Sequence, residues 1–175
     1  MIKDKVFPII RECGLEPLCI DSVKHLPISI RPLYMCKFGC PEYGKYPSCP
    51  PYTGSFDDIL RFWESYNAFV LVTTTYEFDD DFDAYKRNFQ YKLINIQKRL
   101  QGSNFPYAFA MFPGSCRLCK VCGMPKECYR PWDVRPSVSG MGVELLRYLQ
   151  QKASKINKVN IYLHTRRLFS IILLG

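Results

Sequence analysis

The pattern of hydrophobic and polar positions along the chain predicts strands that alternate with helices. Apolar, β-branched or alternating runs indicate strands over residues 28–35, 68–75, 107–112, 159–164 and 168–174. Apolar residues spaced three or four positions apart indicate helices that begin at Ser55, span about 83–101 and span about 137–154. The inward-facing residues of the first helix include Leu60, and those of the last helix include Leu146.

Strands and helices in this order are typical of an α/β fold, in which right-handed crossovers connect the strands. A length of 175 residues fits one domain, and 47% hydrophobic with 23% charged residues is ordinary for a globular protein. We therefore expect a single domain over residues 1–175, with a mixed, mostly parallel sheet and flanking helices. A short turn at Thr165–Arg166 predicts a C-terminal antiparallel hairpin.

The nine cysteines are the main chemical feature of the sequence. Seven of them form two groups, Cys36, Cys40 and Cys49 in one and Cys116, Cys119, Cys122 and Cys128 in the other. The N-terminal segment has no signal-peptide core, and no apolar run reaches the ~18 residues of a membrane span, so we expect a cytoplasmic protein. Clustered cysteines in such a protein indicate metal binding rather than disulfides.

Both cysteine groups begin close to the end of a predicted strand. Cys36 follows Met35 directly, and Cys116 comes shortly after Phe112. Ligands of parallel sheets bind at the carboxyl ends of the strands. We therefore expect two cysteine-rich loops, over about 36–52 and 113–136, to meet at one edge of the sheet and form one metal-binding region.

The spacing within the second group favours an iron–sulfur cluster. Two residues separate Cys116 from Cys119 and Cys119 from Cys122, as in the bacterial ferredoxin run, but Cys128 follows after five residues rather than three. Either these four thiolates hold one [4Fe–4S] cluster, or Cys128 crosses to the first group and completes a second site there. In the second case Cys116, Cys119 and Cys122 would need a remote fourth ligand, either Cys13 or Cys19. Otherwise we expect Cys13 and Cys19 to be small buried hydrophobic residues.

The first group by itself offers three thiolates, from Cys36, Cys40 and Cys49. Three ligands would leave one iron of a cluster with an open coordination position, which is typical of a cluster that binds substrate. The sequence is therefore compatible with one or two clusters. Structural zinc, which takes four Cys or His ligands, is the alternative cofactor, with His25 and His164 as the available histidines.

The net charge of the chain does not by itself indicate a nucleic-acid partner. The formal charge of +8 counts every cysteine as neutral, and seven metal-bound thiolates would reduce it to +1 before the metal is added. We therefore do not expect a nucleic-acid or membrane partner, and we expect a protein partner, either a redox protein or a client enzyme. Basic residues on one predicted helix are a candidate docking face for an acidic redox protein: Lys86, Arg87, Lys92, Lys98 and Arg99.

The combined motifs of the two loops resemble those of the DUF2284 family, the predicted metal-binding proteins of methanogenic archaea and anaerobic bacteria. The resemblance rests on Cys36-x3-Cys40, on Tyr43-Gly44-Lys45 and Cys49-Pro50-Pro51-Tyr52, on the second cysteine group, and on Arg135-Pro136-Ser137. It spans most of the chain from about Arg31. The resemblance implies a cysteine-rich cytoplasmic protein of anaerobes with an iron–sulfur centre, and it supplies no reaction.

These observations lead to one main functional hypothesis and two alternatives. The main hypothesis is an iron–sulfur protein that passes electrons to, or helps to mature or activate, a client enzyme of anaerobic metabolism. The first alternative is a reductase with an open three-cysteine cluster. The second is a zinc-stabilised interaction module without redox activity.

Overall fold

The computed structural model describes residues 1–76, 81–152 and 167–175. The described helices are α1 (Ile2–Glu12), α2 (Arg31–Gly39), α3 (Phe56–Glu64), α4 (Phe82–Gln101) and α5 (Leu145–Lys152). The described strands are β1 (Glu16–Ser22), β2 (Ala68–Thr75), β3 (Phe109–Ala110) and β4 (Arg167–Leu174). Single 3₁₀ turns occupy Val23–His25 and Ser139–Met141.

The four described strands form one sheet in the order β1-β2-β4-β3, and every neighbouring pair is antiparallel. The expectation of a mostly parallel sheet is therefore wrong. Two strands, β2 and β3, do run in the same direction, since each is antiparallel to β4, and α4 connects them. They are not neighbours, however, because β4 lies between them. The strand expected at 159–164 and the turn at Thr165–Arg166 lie outside the described residues.

Helices cover both faces of the sheet. Val70 and Val72 of β2 point into a core formed with α1 and α4, whereas Phe69 and Leu71 point into a second core formed with α3 and α5. All four side chains are fully buried. A strand covered on both faces needs apolar residues at consecutive positions, which explains the uninterrupted apolar run of β2. Each such side chain contributes roughly 1.5–3 kcal/mol through burial.

The sequence identified α3 and α4 correctly because their ends carry clear signals. The Ser55 hydroxyl accepts a hydrogen bond from the Asp58 N–H, and the Asp58 carboxylate accepts one from the Ser55 N–H, which is a capping box. The Asp81 carboxylate accepts from two N–H groups at the start of α4. Leu60, expected to face inward, lies on the exposed side of α3.

Two other expectations about local structure are corrected. Residues 31–39 form α2 rather than a strand, since Pro32 occupies the first turn of a helix, where its missing N–H costs nothing. The helix expected over 137–154 begins only at Leu145. Gly142 has a φ of 75°, a left-handed conformation that ends the preceding 3₁₀ turn, and the shifted start leaves Leu146 exposed.

Candidate metal centre

The four cysteines of the second group lie around one small cavity. Cys116, Cys119, Cys122 and Cys128 all line it, together with Pro47 from the first cysteine loop. The loop that carries them follows β3, and Phe112, just past that strand, makes an isolated parallel bridge with Ser137. The structure therefore brings together the four cysteines that the first of the two ligand assignments places around one cluster.

Cys116 is the most buried member of this group. Burial raises the pKa of its thiol to about 11, the Leu118 N–H lowers it, and the neighbouring cysteines raise it further. Without a metal, the thiol is therefore neutral at physiological pH. A bound metal cation supplies the positive charge that favours the thiolate, so metal binding at this position releases a proton.

The three cysteines of the first group also lie near one another, but on different structural elements. Cys36 is in the last turn of α2, Cys40 caps the C-terminus of that helix, and Cys49 is buried in the following loop. Burial raises the pKa of the Cys36 thiol, and Cys40 and Cys49 raise it further. This group is more open than the second, since Cys40 is exposed to solvent.

The two cysteine loops contact each other directly. The Cys116 N–H donates to the Ser48 Oγ over 2.7 Å, and the Ser137 N–H donates to the Ser48 carbonyl over 2.7 Å. Arg117 forms an ion pair with Glu42 of the first loop. The loops therefore meet as expected, although Cys36 reaches this region from a helix rather than from the end of a parallel strand.

Arg117 is the centre of a polar network between the loops. Besides Glu42, its guanidinium contacts Asp83 at 2.9 Å and the Ser115 hydroxyl at 2.9 Å, and it lies over the Tyr46 ring at 4.4 Å. The Arg117 side chain is only 13% exposed. Burial lowers the pKa of Arg117, but Glu42 and Asp83 raise it more, so the guanidinium stays charged.

The other two cysteines lie elsewhere. Cys13 accepts weak hydrogen bonds from Asn95 and Arg99 of α4 at 3.5 and 3.6 Å. Cys19 lies on β1 and contacts the Tyr148 hydroxyl at 3.6 Å. In the sheet order, β1 and β3 are the two opposite edges, so the strand that holds Cys19 is three strand spacings, or about 14 Å, from the strand that leads into the second loop. These side-chain contacts of Cys13 and Cys19 are therefore with residues outside the two cysteine loops.

The donor set fits a thiolate-bound metal group. All nine cysteines are free thiols. Within the described residues, however, no three Cys, His, Asp or Glu side chains converge on a point where a single metal ion would bind. A mononuclear zinc site requires convergence at Zn–S distances of about 2.3 Å. In an iron–sulfur cubane each thiolate binds a different iron, so the ligands of a cubane do not converge on one ion.

Several residues of this region were missed or misjudged from the sequence. Ser48 and Arg117 are adjacent to cysteines in the chain and Glu42 is two residues after Cys40, and nothing in their spacing singles them out. Lys86 was expected on the solvent-facing side of its helix, yet it is only 7% exposed. The signal was available, because Lys86 precedes Phe89 by three positions and Leu93 by seven, which places it on the apolar face of α4.

An exposed apolar surface surrounds the cysteine groups. A concave region of about 820 Å³ lies beside Cys36 and Cys40, and α2 forms most of it. Large apolar side chains are exposed on α2 and on the second loop: Tyr34, Met35, Phe38, Val121, Tyr129 and Trp132. None of the helices within the described ranges has the length and apolarity that crossing a membrane requires.

Comparison with known proteins gives one match. The family model described as "Predicted metal-binding protein (DUF2284)" covers residues 20–174 of the chain. The matched region includes both cysteine loops and excludes Cys13 and Cys19. No curated protein and no solved structure matches the chain significantly.

Proposed function

We propose that this chain, which belongs to the DUF2284 family of predicted metal-binding proteins, binds an iron–sulfur cluster through its second cysteine group. In this proposal the protein is cytoplasmic and serves anaerobic metabolism, where it passes electrons to, or helps to activate, a client enzyme. A bound cluster would supply reversible one-electron chemistry. The chain itself supplies the thiolates, excludes water and provides the surface that a partner recognises.

One observation carries the proposal: four free thiols of one loop line a single small cavity. Such a group has the donor number and donor type of a cubane with all four irons ligated. The rest of the cavity lining includes the apolar residues Leu118 and Val134 and one charged residue, Arg130. Low solvent access suits a cluster that transfers electrons without binding substrate.

The surroundings of the cysteines support a protein partner. Without a partner, the exposed aromatic residues of the second loop would lie in water. Exposed aromatic side chains are typical anchors of protein interfaces. Four lysines of the two cysteine loops are exposed, and within the described residues none of them forms an ion pair: Lys37, Lys45, Lys120 and Lys126. Glu127 is the one exposed acid of the second loop. This surface therefore fits an acidic partner with an apolar centre, such as a ferredoxin-type protein.

The test of metal binding is an analysis of protein purified without oxygen. We expect iron and acid-labile sulfide in near-equal amounts, about four of each per chain for one [4Fe–4S] cluster, and an absorption band near 400 nm that dithionite bleaches. Cys116→Ser should lose this iron. Cys13→Ser, a cysteine outside both groups, is the matched control and should keep it. Stoichiometric zinc in a colourless protein would overturn the proposal.

The partner surface has its own test. We expect an acidic ferredoxin, reduced with dithionite, to transfer electrons to the loaded protein at a rate that falls as salt is added. Lys120→Glu with Lys126→Glu should slow this transfer at low salt at least tenfold, whereas Lys24→Glu, an exposed lysine outside the cysteine loops, should not. Equal rates for the two variants would contradict this part of the proposal.

A reductase is the second candidate, and the concave region beside Cys36 and Cys40 favours it. Its lining is almost entirely apolar, and its size is within the range of small-molecule sites. A cluster held there by three thiolates would leave one iron open to a substrate. Cyanide is a suitable probe of an open iron. If cyanide changes the EPR spectrum of the reduced wild-type protein but not that of Cys36→Ser, the result would support this candidate. If cyanide leaves the wild-type spectrum unchanged, the result would support the closed cluster.

A further inference from the structure

Lys86 is a buried cation between the two cysteine loops. Its ammonium group donates to the Ser115 hydroxyl over 3.0 Å, next to Cys116 in the chain. It also lies against Gly114, where an added Cβ would come within 3.3 Å of the Lys86 Nζ. Lysine is almost never buried to this degree unless its charge is compensated.

The charge of Lys86 has no carboxylate partner within the described residues, where every ion pair involves another cation. Glu42 and Asp83, two described acids whose charges act on Lys86, are both paired with Arg117. The side-chain hydrogen bond of Lys86 within the described residues is to Ser115, which immediately precedes Cys116 of the second cysteine group. Among the described residues, the groups left to compensate the charge of Lys86 are therefore the thiolates of the cysteine loops.

The electrostatics of Lys86 agree with this arrangement. Burial lowers the pKa of the ammonium group and Arg117 lowers it further, while Glu42, Cys49 and Asp83 act in the opposite direction. Ionised thiolates bound to a metal carry more negative charge than the free thiols. A loaded centre therefore stabilises the charged lysine, and by the same interaction the lysine stabilises the centre.

We propose that Lys86 compensates the negative charge of the metal–thiolate centre of the second cysteine group, beside which its contact with Ser115 places it, and raises the reduction potential of that centre. This inference rests on the proposed iron–sulfur function. Reduction adds one electron, so the reduced centre is more negative and gains more from a nearby buried cation than the oxidised centre does. Lys86 thus acts on the potential without contacting a substrate, as a positioning and tuning residue.

The test compares two lysines of the same helix. Lys86→Met removes the buried charge, and Lys98→Met removes an exposed charge from α4 as the matched control. In a dithionite titration followed by EPR, we expect Lys86→Met to shift the reduced-to-oxidised ratio at fixed potential at least tenfold towards the oxidised form. For a one-electron couple this is a shift of about 59 mV to more negative potential. Lys98→Met should keep the wild-type potential.

Iron content separates this inference from the proposed function. If the wild-type protein binds no iron and sulfide, the proposed function fails. If Lys86→Met keeps its iron and has the same potential as Lys98→Met, only the role of Lys86 fails. Lys86→Gln, which has no charge but keeps a donor for Ser115, repeats the test should the methionine variant not fold. Failure of both variants to fold would assign Lys86 a structural role and overturn the inference.

Discussion

Ser48 and Cys116 join the two cysteine loops through a buried hydrogen bond, in which the Cys116 N–H donates to the Ser48 hydroxyl over 2.7 Å. Cys116 belongs to the second cysteine group, and Ser48 immediately precedes Cys49 of the first group. The Ser48 side chain is fully buried. One residue therefore fixes the position of a thiol in each loop.

We expect Ser48→Ala to destabilise the protein and weaken metal binding at both loops. The substitution leaves the Cys116 N–H buried without its partner, at a cost of about 1–3 kcal/mol in the free energy of unfolding. Urea denaturation and iron analysis measure the two effects. Ser139→Ala, at an exposed serine of the same region, is the control. Unchanged stability in Ser48→Ala would show that the loops do not depend on this bond.

Arg117 holds the loops together by charge, and its planar shape matters as much as its charge. Both Arg117→Met and Arg117→Lys should lower the free energy of unfolding by about 1.5–3 kcal/mol, since lysine cannot bond Glu42, Asp83 and Ser115 at once. Arg61→Met, at an exposed arginine of α3, should leave it nearly unchanged. Full recovery of stability in Arg117→Lys would reject the geometric argument.

The meeting of the two loops could be predicted from the sequence, but the route by which the first loop reaches the site could not. Cys36 and Cys116 each follow an apolar segment, which correctly suggested a common location. The segment before Cys36 is short and contains Pro32, and such a segment fits an edge strand or the first turn of a helix equally well. Contacts of α2 with the rest of the protein decide between them.

The direction of the strands depends on a partner far along the chain. The sequence of β2, α4 and β3 correctly indicates a crossover between two strands that run in the same direction. Whether these strands pair depends on β4, which lies about 60 residues beyond β3 in the chain and inserts between them. Lys86 combines both cases, because its spacing to Phe89 and Leu93 places it on the apolar face of α4, whereas no local pattern indicates its contact with Ser115.

Cys128 is the residue on which the two ligand assignments differ. It lines the same cavity as Cys116, Cys119 and Cys122. We therefore expect Cys128→Ser to lose the same iron and the same spectral features as Cys116→Ser, and to differ from Cys49→Ser. A Cys128→Ser spectrum that matches Cys49→Ser instead would assign Cys128 to the first group.

Gly123 shapes the turn between Cys122 and Cys128. A Cβ at this position would overlap the Glu127 carbonyl oxygen and approach the Tyr129 ring to 2.6 Å. Gly123→Ala should therefore displace the neighbouring thiols and lower the iron content, while the helices and sheet, measured by circular dichroism, stay intact. Gly39→Ala is the control, because a Cβ there would have no neighbour within 4 Å. Equal iron content in the two variants would show that the turn tolerates this displacement.

The contacts of the Asp21 carboxylate predict that the stability of the protein depends on pH. Its carboxylate, at the end of β1, accepts hydrogen bonds from the Ser22 N–H at 2.8 Å and the Tyr148 hydroxyl at 2.9 Å, and it lies 3.0 Å from the Lys152 ammonium group. His25 contributes a further contact at 2.6 Å. Burial raises the pKa of Asp21, but these partners together lower it well below its ordinary value.

A carboxyl group with a depressed pKa stabilises the fold above the pKa of the unfolded chain, about 3.9, and loses this contribution as the pH falls towards the folded-state value. Asp21→Asn should therefore lower the free energy of unfolding at pH 7 by on the order of 2 kcal/mol, with a smaller difference from wild type at pH 3. Urea denaturation at both pH values measures this change, with Glu64→Gln, at an exposed residue of α3, as the control. A difference between Asp21→Asn and wild type that stays constant from pH 7 to pH 3 would mean that the Asp21 charge does not stabilise the junction of β1 and α5.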